Sequence, residues 1–411
     1  MNAGNCRFCQ KPLKHKFVDL GMSPLANSYL AHEDLACQEA TYPLCVYICH
    51  SCFLVQLPEH KSPDFIFTDY AFFSSYSDKI LELSKVYCNE IASRLNLNSK
   101  NLVIEIASND GYLLKNFKTM GIPILGIEPA KNVAEVAQDA GIPTLVKFFG
   151  TKTASELSSD GKQADLLIGN NVLAHVPDLN DFVQGLKIAL KPHGVISIEF
   201  PHLLTMLDKY LFDLIYHEHF SYFSFTTVEK ILEKHNLNIF DIDFVPTHGG
   251  SLRILGKHIE DNSKTVSQKV FDLREKEKRA NIKSLDTYQK FSSEVKKIKQ
   301  NFTAFILQAK EENKSIAAYG APAKGNTFLN YCKIKSNTIE YTVDRNPHKQ
   351  GKYLPGTHIP IHHPDQIKKT RPNYLLILPW NLKDEIMEQM SFIKEWGGQF
   401  VIPLPKLSVV K

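Results

Sequence analysis

One pattern occurs twice in this chain: a short apolar strand, a turn of small residues and the start of an amphipathic helix. It is first met in "NLVIEIASNDGYLLKNF" from Asn101 and again in "SIAAYGAPAKGNTFLNYC" from Ser315. After the first copy come strands in "IPILGIEPA", "ADLLIGNNVLAHVPD" and "GVISIEFPH", separated by the helical stretches "AKNVAEVAQDAG" and "LNDFVQGLKIAL". After the second come "IEYTVDRNPHKQGKYLPG", "PNYLLILPW" and "GQFVIPLP". Strands alternating with helices predict parallel, doubly wound α/β sheets, whose ligands lie at the carboxyl ends of the strands. Between the copies, residues 259–314 are rich in Lys, Glu, Asn and Ser. There "VSQKVFDLREKEKRANIKSL" and "FSSEVKKIKQNFTAFILQAKEEN" predict long amphipathic helices with solvated charged faces. "HGGSLRILGKHI" reads as a closing strand of the first unit, its paired glycines permitting close backbone approach.

A chain of 411 residues exceeds one small core, so two or three domains are expected. The net charge of +4, from 48 basic and 44 acidic side chains, argues against a dedicated nucleic-acid binder. "MNAGNCRFCQ" lacks the apolar run of a signal peptide, and no apolar stretch approaches the ~18 residues of a membrane span. A cytoplasmic protein is the expectation, with its 8 cysteines reduced. Cys6 and Cys9 make one C-x-x-C, Cys49 and Cys52 another. Two such pairs complete a closed tetrahedral zinc site, which leaves no position for water and is therefore structural. The interval between them is long for a compact ribbon; Cys37 and Cys45 lie within it, and His50 is adjacent. Scattered reduced thiols are the bland alternative.

The first turn, Ala107-Ser108-Asn109-Asp110-Gly111, lacks G-x-G-x-x-G and carries an acid, so it suits a cation with an amino-acid tail better than a pyrophosphate. Glu128, ending the second strand, can take both hydroxyls of a ribose. Sulfonium, amino-acid tail and ribose together describe S-adenosylmethionine, and the order of features fits a class I methyltransferase. Further along, "FDLIYHEHFSYFS" places two histidines, a glutamate and two tyrosines within residues 216–222. His217 and His219 lack the H-E-x-x-H spacing of a helical zinc pair. Read as a helix, Tyr216, His219 and Tyr222 recur every three residues and share a face, an arrangement for a base. His175 follows the "ADLLIG" strand and is expected to face the site. Phe212, Leu214, Ile215, Phe220 and Phe223 are assigned to packing, and a satisfied polar network is the alternative for the rest.

The chain resembles the sugar C-3 methyltransferases of branched deoxysugar biosynthesis, such as the enzyme of the tetronitrose pathway. The resemblance spans nearly its whole length, through the cysteine pairs, "EIASNDGYLL", "NNVLAHVPD", "EFPHL", "YHEHFSYFS", "HGGSLR" and "YGAPAKGNTFLNY". It implies methylation at C-3 of a nucleotide-linked 4-keto deoxysugar. It assigns His219 as base, places Tyr216 and Glu218 in the active site, and matches Tyr76 to a position that closes over the cofactor. A carbon α to a ketone must lose its proton before it can accept a methyl group, and histidine is suited to that task near neutral pH. Expected cofactor contacts are Glu105, Ala107, Asn109, Asp110, Gly111, Leu114, Glu128, Pro129, Asn170 and Asn171.

Expected substrate contacts are Tyr222, Ser251, Arg253, Lys324, Asn326 and Asp344. Ser251 and Arg253, two apart on one strand, can both face a ligand phosphate, and arginine suits phosphate because it binds two oxygens at once; a surface hairpin with an exposed arginine is the alternative. The second turn carries Lys324 and no acid, as an anion site would, but a Rossmann-like unit that only braces the first is a rival. The expected organisation is a zinc-binding domain over 1–70, a class I S-adenosylmethionine methyltransferase domain over 71–257, and a helical and Rossmann-like domain over 258–411. The expected partner is a keto-deoxysugar linked to dTDP or GDP, with no nucleic acid, no membrane and a monomeric protein. Two rival functions stand beside this one. An O- or N-methyltransferase would leave the C-3 hydrogen in place. A non-catalytic zinc-bearing module would not bind S-adenosylmethionine.

Overall fold

The computed structural model describes residues 4–62, 65 and 73–411. The chain divides into two compact units, each assembled from separated segments. The first comprises Met1–His15, Ile48–Thr205 and Phe220–Lys283, and the second Lys16–Tyr47, Met206–His219 and Ser284–Lys411. The expected boundary at 70/71 lies outside the described residues.

The first unit is built on a seven-stranded sheet, in the order Leu237–Val245, Ser251–His258, Leu190–Pro201, Ala164–Asn170, Val103–Ile106, Ile124–Ile127, Thr144–Leu145. The five strands from Leu190–Pro201 onward run parallel, while Ser251–His258 is antiparallel to both its neighbours. A parallel sheet with a reversed strand inserted next to the last one is the class I methyltransferase topology expected from the sequence. The central strand Val103–Ile106 is buried at all four positions because helices cover both faces. One layer is an apolar cluster of Tyr87, Cys88, Ile91, Leu113, Leu114, Phe117 and Leu166. Helix Lys131–Asp139 buries Val133, Ala134 and Ala137, one stripe at helical spacing. Strand Leu237–Val245 had no counterpart in the sequence reading. Helix Gln268–Arg279 belongs to this unit, tied in by Glu277. That carboxylate is fully buried and accepts from His202 Nε2 at 2.7 Å, Phe225 N at 2.8 Å and Thr226 N at 2.8 Å.

The second unit carries a six-stranded sheet, in the order Ile361–His362, Thr342–Val343, Ile316–Tyr319, Tyr374–Ile377, Gln399–Ile402, Ser408–Val410. All but the last strand are parallel, giving the 3-2-1-4-5 arrangement of a Rossmann unit. The 26-residue helix Asp286–Glu311 buries Tyr288, Phe291, Val295, Phe302 and Ile306. Phe17, from the strand His15–Ser23, stacks on Phe291 at 4.6 Å and meets Tyr288 edge-on at 5.9 Å.

Candidate active site

The four cysteines of the first unit converge. Their sulfurs all lie within 4.8 Å of one another, and the pairs Cys6–Cys52 and Cys9–Cys49 are each 3.5 Å apart. A tetrahedron of zinc–sulfur bonds of about 2.3 Å has edges of about 3.8 Å, so the donor set fits the ion. Both C-x-x-C turns have the same backbone. Cys6 N donates to Lys11 O and Gln10 N to Cys6 O; Cys49 N donates to Leu54 O and Phe53 N to Cys49 O. In each, the residue after the second cysteine takes a positive φ, 60° at Gln10 and 61° at Phe53. Cys37 is exposed and outside the cluster, and Cys45 is buried but also outside it.

At the carboxyl end of strand Val103–Ile106 the turn is held in an uncommon shape. Ala107, Asn109 and Gly111 have φ of 55°, 51° and 76°. Alanine tolerates that region at a cost of about 1–2 kcal/mol, so surrounding bonds must fix it. Glu128 does part of this: one oxygen accepts from Asn109 N and the other from Ala130 N, both at 2.9 Å. A side chain at Gly111 would meet Ile142 Cγ1 at 2.9 Å, so the turn can approach its neighbours only as glycine. The segment ahead of helix Asp78–Arg94 closes on the same turn. Ser74 N donates to Asn109 Oδ1 at 2.9 Å, and Ser75 gives Asp110 Oδ2 both its N–H at 3.0 Å and its hydroxyl at 2.6 Å. Tyr76 follows in that turn and is 41% exposed. Ser74 and Ser75 were not foreseen; the "SSYS" run was the only signal.

Glu105, Asp110 and Glu128 are all buried here. Glu105 Oε2 and Asp110 Oδ1 have no hydrogen-bond partner among the described residues. Burial, reinforced by Glu128 and Asp110, pushes the Glu105 carboxyl well above the usual carboxylate range. Burial also raises Glu128, against the pull of its two N–H donors. A buried set of like charges with unfilled acceptors is a receptor for a cation, which fits the ammonium and sulfonium of S-adenosylmethionine. Asn170, at the end of strand Ala164–Asn170, and Asn171, with φ of 55°, each keep a side-chain oxygen without a partner among the described residues. Pro129 is half-buried between Glu128 and the next helix. Leu114, by contrast, is fully buried in the apolar cluster. His175 ends the short turn Leu173–His175, half-buried.

Also in this unit, Arg253 donates to Glu199 Oε2 at 2.5 Å and stacks over Tyr87 at 3.9 Å. Ser251 donates to Thr247 O at 3.1 Å. Tyr222 is buried in the strand Ser221–Tyr222. The helical reading of 216–222 is corrected by the structure. His219 N bonds Tyr216 O at 2.9 Å, closing a turn, and Phe220 N turns away to Ala174 O at 2.8 Å. With those donors taken by a turn and a distant loop, no helical ladder forms.

In the second unit the turn brings its side chains to a different arrangement. Tyr216 Oη lies 2.6 Å from His219 Nε2, their rings 3.9 Å apart. His219 Nδ1 lies 2.8 Å from Leu214 O. A carbonyl only accepts, so Nδ1 carries a hydrogen; in the neutral ring Nε2 then holds the lone pair and Tyr216 donates to it. Glu218 is buried and accepts from Asn27 Nδ2 at 2.7 Å. Tyr29, two residues on, donates to Ala321 O at 2.5 Å, and Lys349 Nζ reaches the same carbonyl at 2.9 Å. His217 meets Tyr42 edge-on at 5.9 Å.

Lys324 and Asn326 of the second strand–turn–helix stretch, and Asp344 at the end of the next strand, are bonded within this unit. Lys324 donates to Asn381 Oδ1 and lies 5.3 Å over the Trp380 ring, while Trp380 donates to Asp213 at 2.6 Å. Burial lowers the Lys324 ammonium to about 8, against the pull of Asp213, and burial raises Asp213 to about 6. Asn326 donates to Ala26 O at 2.6 Å. Asp344 accepts from Ala321 N at 2.7 Å and Asn346 N at 2.9 Å, with Lys349 at 3.7 Å. The Asp344 clamp on its turn repeats that of Glu128. Asn27, Tyr29, Asp213 and Lys349 escaped the sequence reading, since nothing local marks them.

Family profiles divide the chain in three. A zinc binding domain matches residues 6–67, a methyltransferase domain 74–242 and a C-methyltransferase C-terminal domain 246–405. C-methyltransferase NovU of Streptomyces niveus is 32% identical over 405 residues, covering 98% of this chain and 96% of that protein. The chain belongs to this C-methyltransferase family. It is an S-adenosylmethionine-dependent methyltransferase with a zinc-binding module of four cysteines. Other relatives match this C-methyltransferase over a part only. The ubiquinone biosynthesis O-methyltransferase of Bartonella tribocorum is 27% identical over 97 residues, 23% of this chain and 39% of that protein. An S-adenosylmethionine-dependent methyltransferase from Clostridium acetobutylicum overlaps 43% of this chain and 92% of its own, at 13% identity and a TM-score of 0.35. Among the described residues, no helix of the C-methyltransferase is long and apolar enough to cross a membrane.

Proposed function

We propose that this C-methyltransferase methylates C-3 of a nucleotide-linked 4-keto deoxysugar in branched-sugar biosynthesis. The observation that carries the proposal is the placement of His219, with Nδ1 2.8 Å from Leu214 O and Nε2 2.6 Å from the Tyr216 hydroxyl. A neutral imidazole with one nitrogen pinned is poised as a base. In the proposed reaction the C-3 hydrogen replaces the Tyr216 hydroxyl as partner of Nε2. His219 takes the proton, and the C–H electrons form an enolate with charge on O-4. The released Tyr216 hydroxyl then donates to that oxygen, where charge develops. S-adenosylmethionine, held by the contacts named below, would supply the electrophilic methyl group that C-3 accepts, the electrons of its C–S bond remaining with sulfur. Glu218, fixed by Asn27, orients the sugar. His175 and Tyr76 belong to the same proposed machinery.

The proposed cofactor contacts are Glu105, Ala107, Asn109, Asp110, Gly111, Glu128, Pro129, Asn170 and Asn171, with Leu114 packing beneath them. Lys324, Asn326 and Arg253 already give donors to Asn381, Ala26 and Glu199. They are proposed to serve substrate binding each within its own unit, and Tyr222, Ser251 and Asp344 are proposed as direct contacts. A dTDP or GDP sugar, a monomer, a cytoplasmic setting and domains at 1–70, 71–257 and 258–411 complete the proposal.

The test is methylation of a nucleotide-linked 4-keto-6-deoxysugar in D2O, followed by NMR at C-3. Loss of the C-3 hydrogen and a new C–CH3 signal, both abolished in His219→Ala, are expected. A product methylated on oxygen or nitrogen overturns the proposal.

A further inference from the structure

The first zinc turn does more than bind metal. Arg7 lies between its two cysteines, and its guanidinium reaches three other segments of the first unit. One nitrogen donates to Leu57 O at 2.6 Å and another to Pro177 O at 3.1 Å, while the group sits 5.3 Å over the Phe220 ring. Those segments are bonded to one another. Phe220 N donates to Ala174 O at 2.8 Å, and Leu57 N donates to Phe220 O at 3.0 Å. Asn180 returns to the zinc turn, giving its amide to Arg7 O at 3.2 Å and Phe8 O at 3.1 Å. The strand Val55–Gln56 pairs with Ser221–Tyr222, and Gln56 closes on the metal site: its amide nitrogen lies 3.2 Å from Cys6 Sγ and its oxygen accepts Arg7 N at 2.9 Å.

The bonds form a closed circuit: zinc turn, Leu57, Phe220, Ala174, Pro177, Asn180 and the zinc turn again. Two stretches of it carry proposed chemistry. His175 follows Ala174, and His219 precedes Phe220. Arg7 holds two backbone carbonyls from separate segments through two different nitrogens of one rigid planar fork, whereas a lysine would offer a single flexible point charge.

We infer that Arg7 is a positioning residue for methyl transfer, through which the metal-loaded turn sets the placement of the His175 loop and of the strand that follows His219. The inference rests on the proposed roles of those two histidines. A misplacement of about 1 Å far from the reacting atoms costs about 100-fold in rate. Arg7→Met, which keeps the bulk and removes both donors, is expected to lower kcat about 10- to 100-fold. Zinc content and the Kd for S-adenosylmethionine are expected to stay at wild-type values. Arg7→Lys is expected to recover part of the loss.

The test pairs that rate, on a nucleotide-linked 4-keto-6-deoxysugar that the wild type methylates, with amide hydrogen exchange of the full chain. In Arg7→Met, exchange is expected to rise at 174–180 and 220–222 and to stay unchanged at 103–106. The same segments are expected to respond when zinc is removed from the wild-type protein by a chelator, which gives the answer even if the variant folds poorly. Unchanged exchange at both segments overturns the positioning role, whatever the substrate. Raised exchange with unchanged kcat overturns the link to catalysis and places the fault in the roles given to His175 and His219.

Discussion

The buried acid Glu105 makes a prediction about protons. Its carboxyl is 1% exposed, and the charged groups acting on it, Glu128 and Asp110, have its own sign. Tyr112, Tyr87 and Cys88 face the same charge, and burial raises each of them above its ordinary range. Without a cofactor, Glu105 therefore keeps its proton to a pH well above the ordinary carboxylate range. A cation placed against the cluster reverses the balance, so binding of S-adenosylmethionine releases one proton. Linkage then fixes the sign: below the raised pKa, each unit fall in pH weakens binding tenfold, equal to about 1.4 kcal/mol, and above that pKa affinity levels off. The ligand-free protein shows the opposite trend. It binds more protons folded than unfolded at this site, so the contribution of Glu105 to stability falls as pH rises from the ordinary carboxylate range through the raised value.

Titration calorimetry in buffers of different ionisation enthalpy counts the proton directly. Glu105→Gln is expected to abolish the release and to weaken binding by about 1.5–3 kcal/mol, the worth of a hydrogen bond to a charged group. S-adenosylhomocysteine separates the two cationic groups: release with both ligands points to the ammonium, release with S-adenosylmethionine alone to the sulfonium. Equal heats in all buffers would refute the reasoning, and release that survives in Glu105→Gln would place the proton elsewhere.

Two further substitutions test the scaffold. Glu277→Ala removes the acceptor of three buried donors, His202, Phe225 N and Thr226 N; a loss of about 3–5 kcal/mol is expected in urea unfolding, and a loss under 1 kcal/mol would dismiss it as a keystone. Burial pushes Glu277 up, but His202 and the Thr226 donor more than offset this and leave it lowered, so its stabilising effect is present above the ordinary carboxylate range and is lost as pH falls through the lowered value. Asn27→Ala removes the 2.7 Å donor that Asn27 gives to Glu218; the expected result is a lowered kcat/KM for the sugar, while unchanged affinity for S-adenosylmethionine separates this from unfolding.

What the sequence disclosed depended on how local the cause was. The two zinc turns are written in four consecutive residues each, and the two α/β repeats in runs of a dozen or more, so both were readable. Strand Leu237–Val245 and the two-residue strands Thr144–Leu145 and Ile361–His362 owe their state to partners across a sheet, and they were not foreseen. The cluster at 216–222 announced itself by composition. Its shape did not follow, because Ala174 claims the N–H of Phe220 and ends any helix there. Asn27, 191 residues from Glu218, and Arg7, 170 residues from Pro177, are set by tertiary bonds alone.

The chain leaves one compact unit for the other at 15/16, 47/48, 205/206, 219/220 and 283/284. Such interleaving bears on how the protein is made and how it can be rearranged. During synthesis the first unit lacks its closing segment until Lys283 has emerged, and the second until the last strand has followed. The first unit therefore has all its segments before the second does, although two segments of the second are already made by then. Neither half can be exchanged with a relative by a single crossover. A hybrid with a new second unit would need Lys16–Tyr47 and Met206–His219 transplanted together with Ser284–Lys411, so three separate segments must be inherited together.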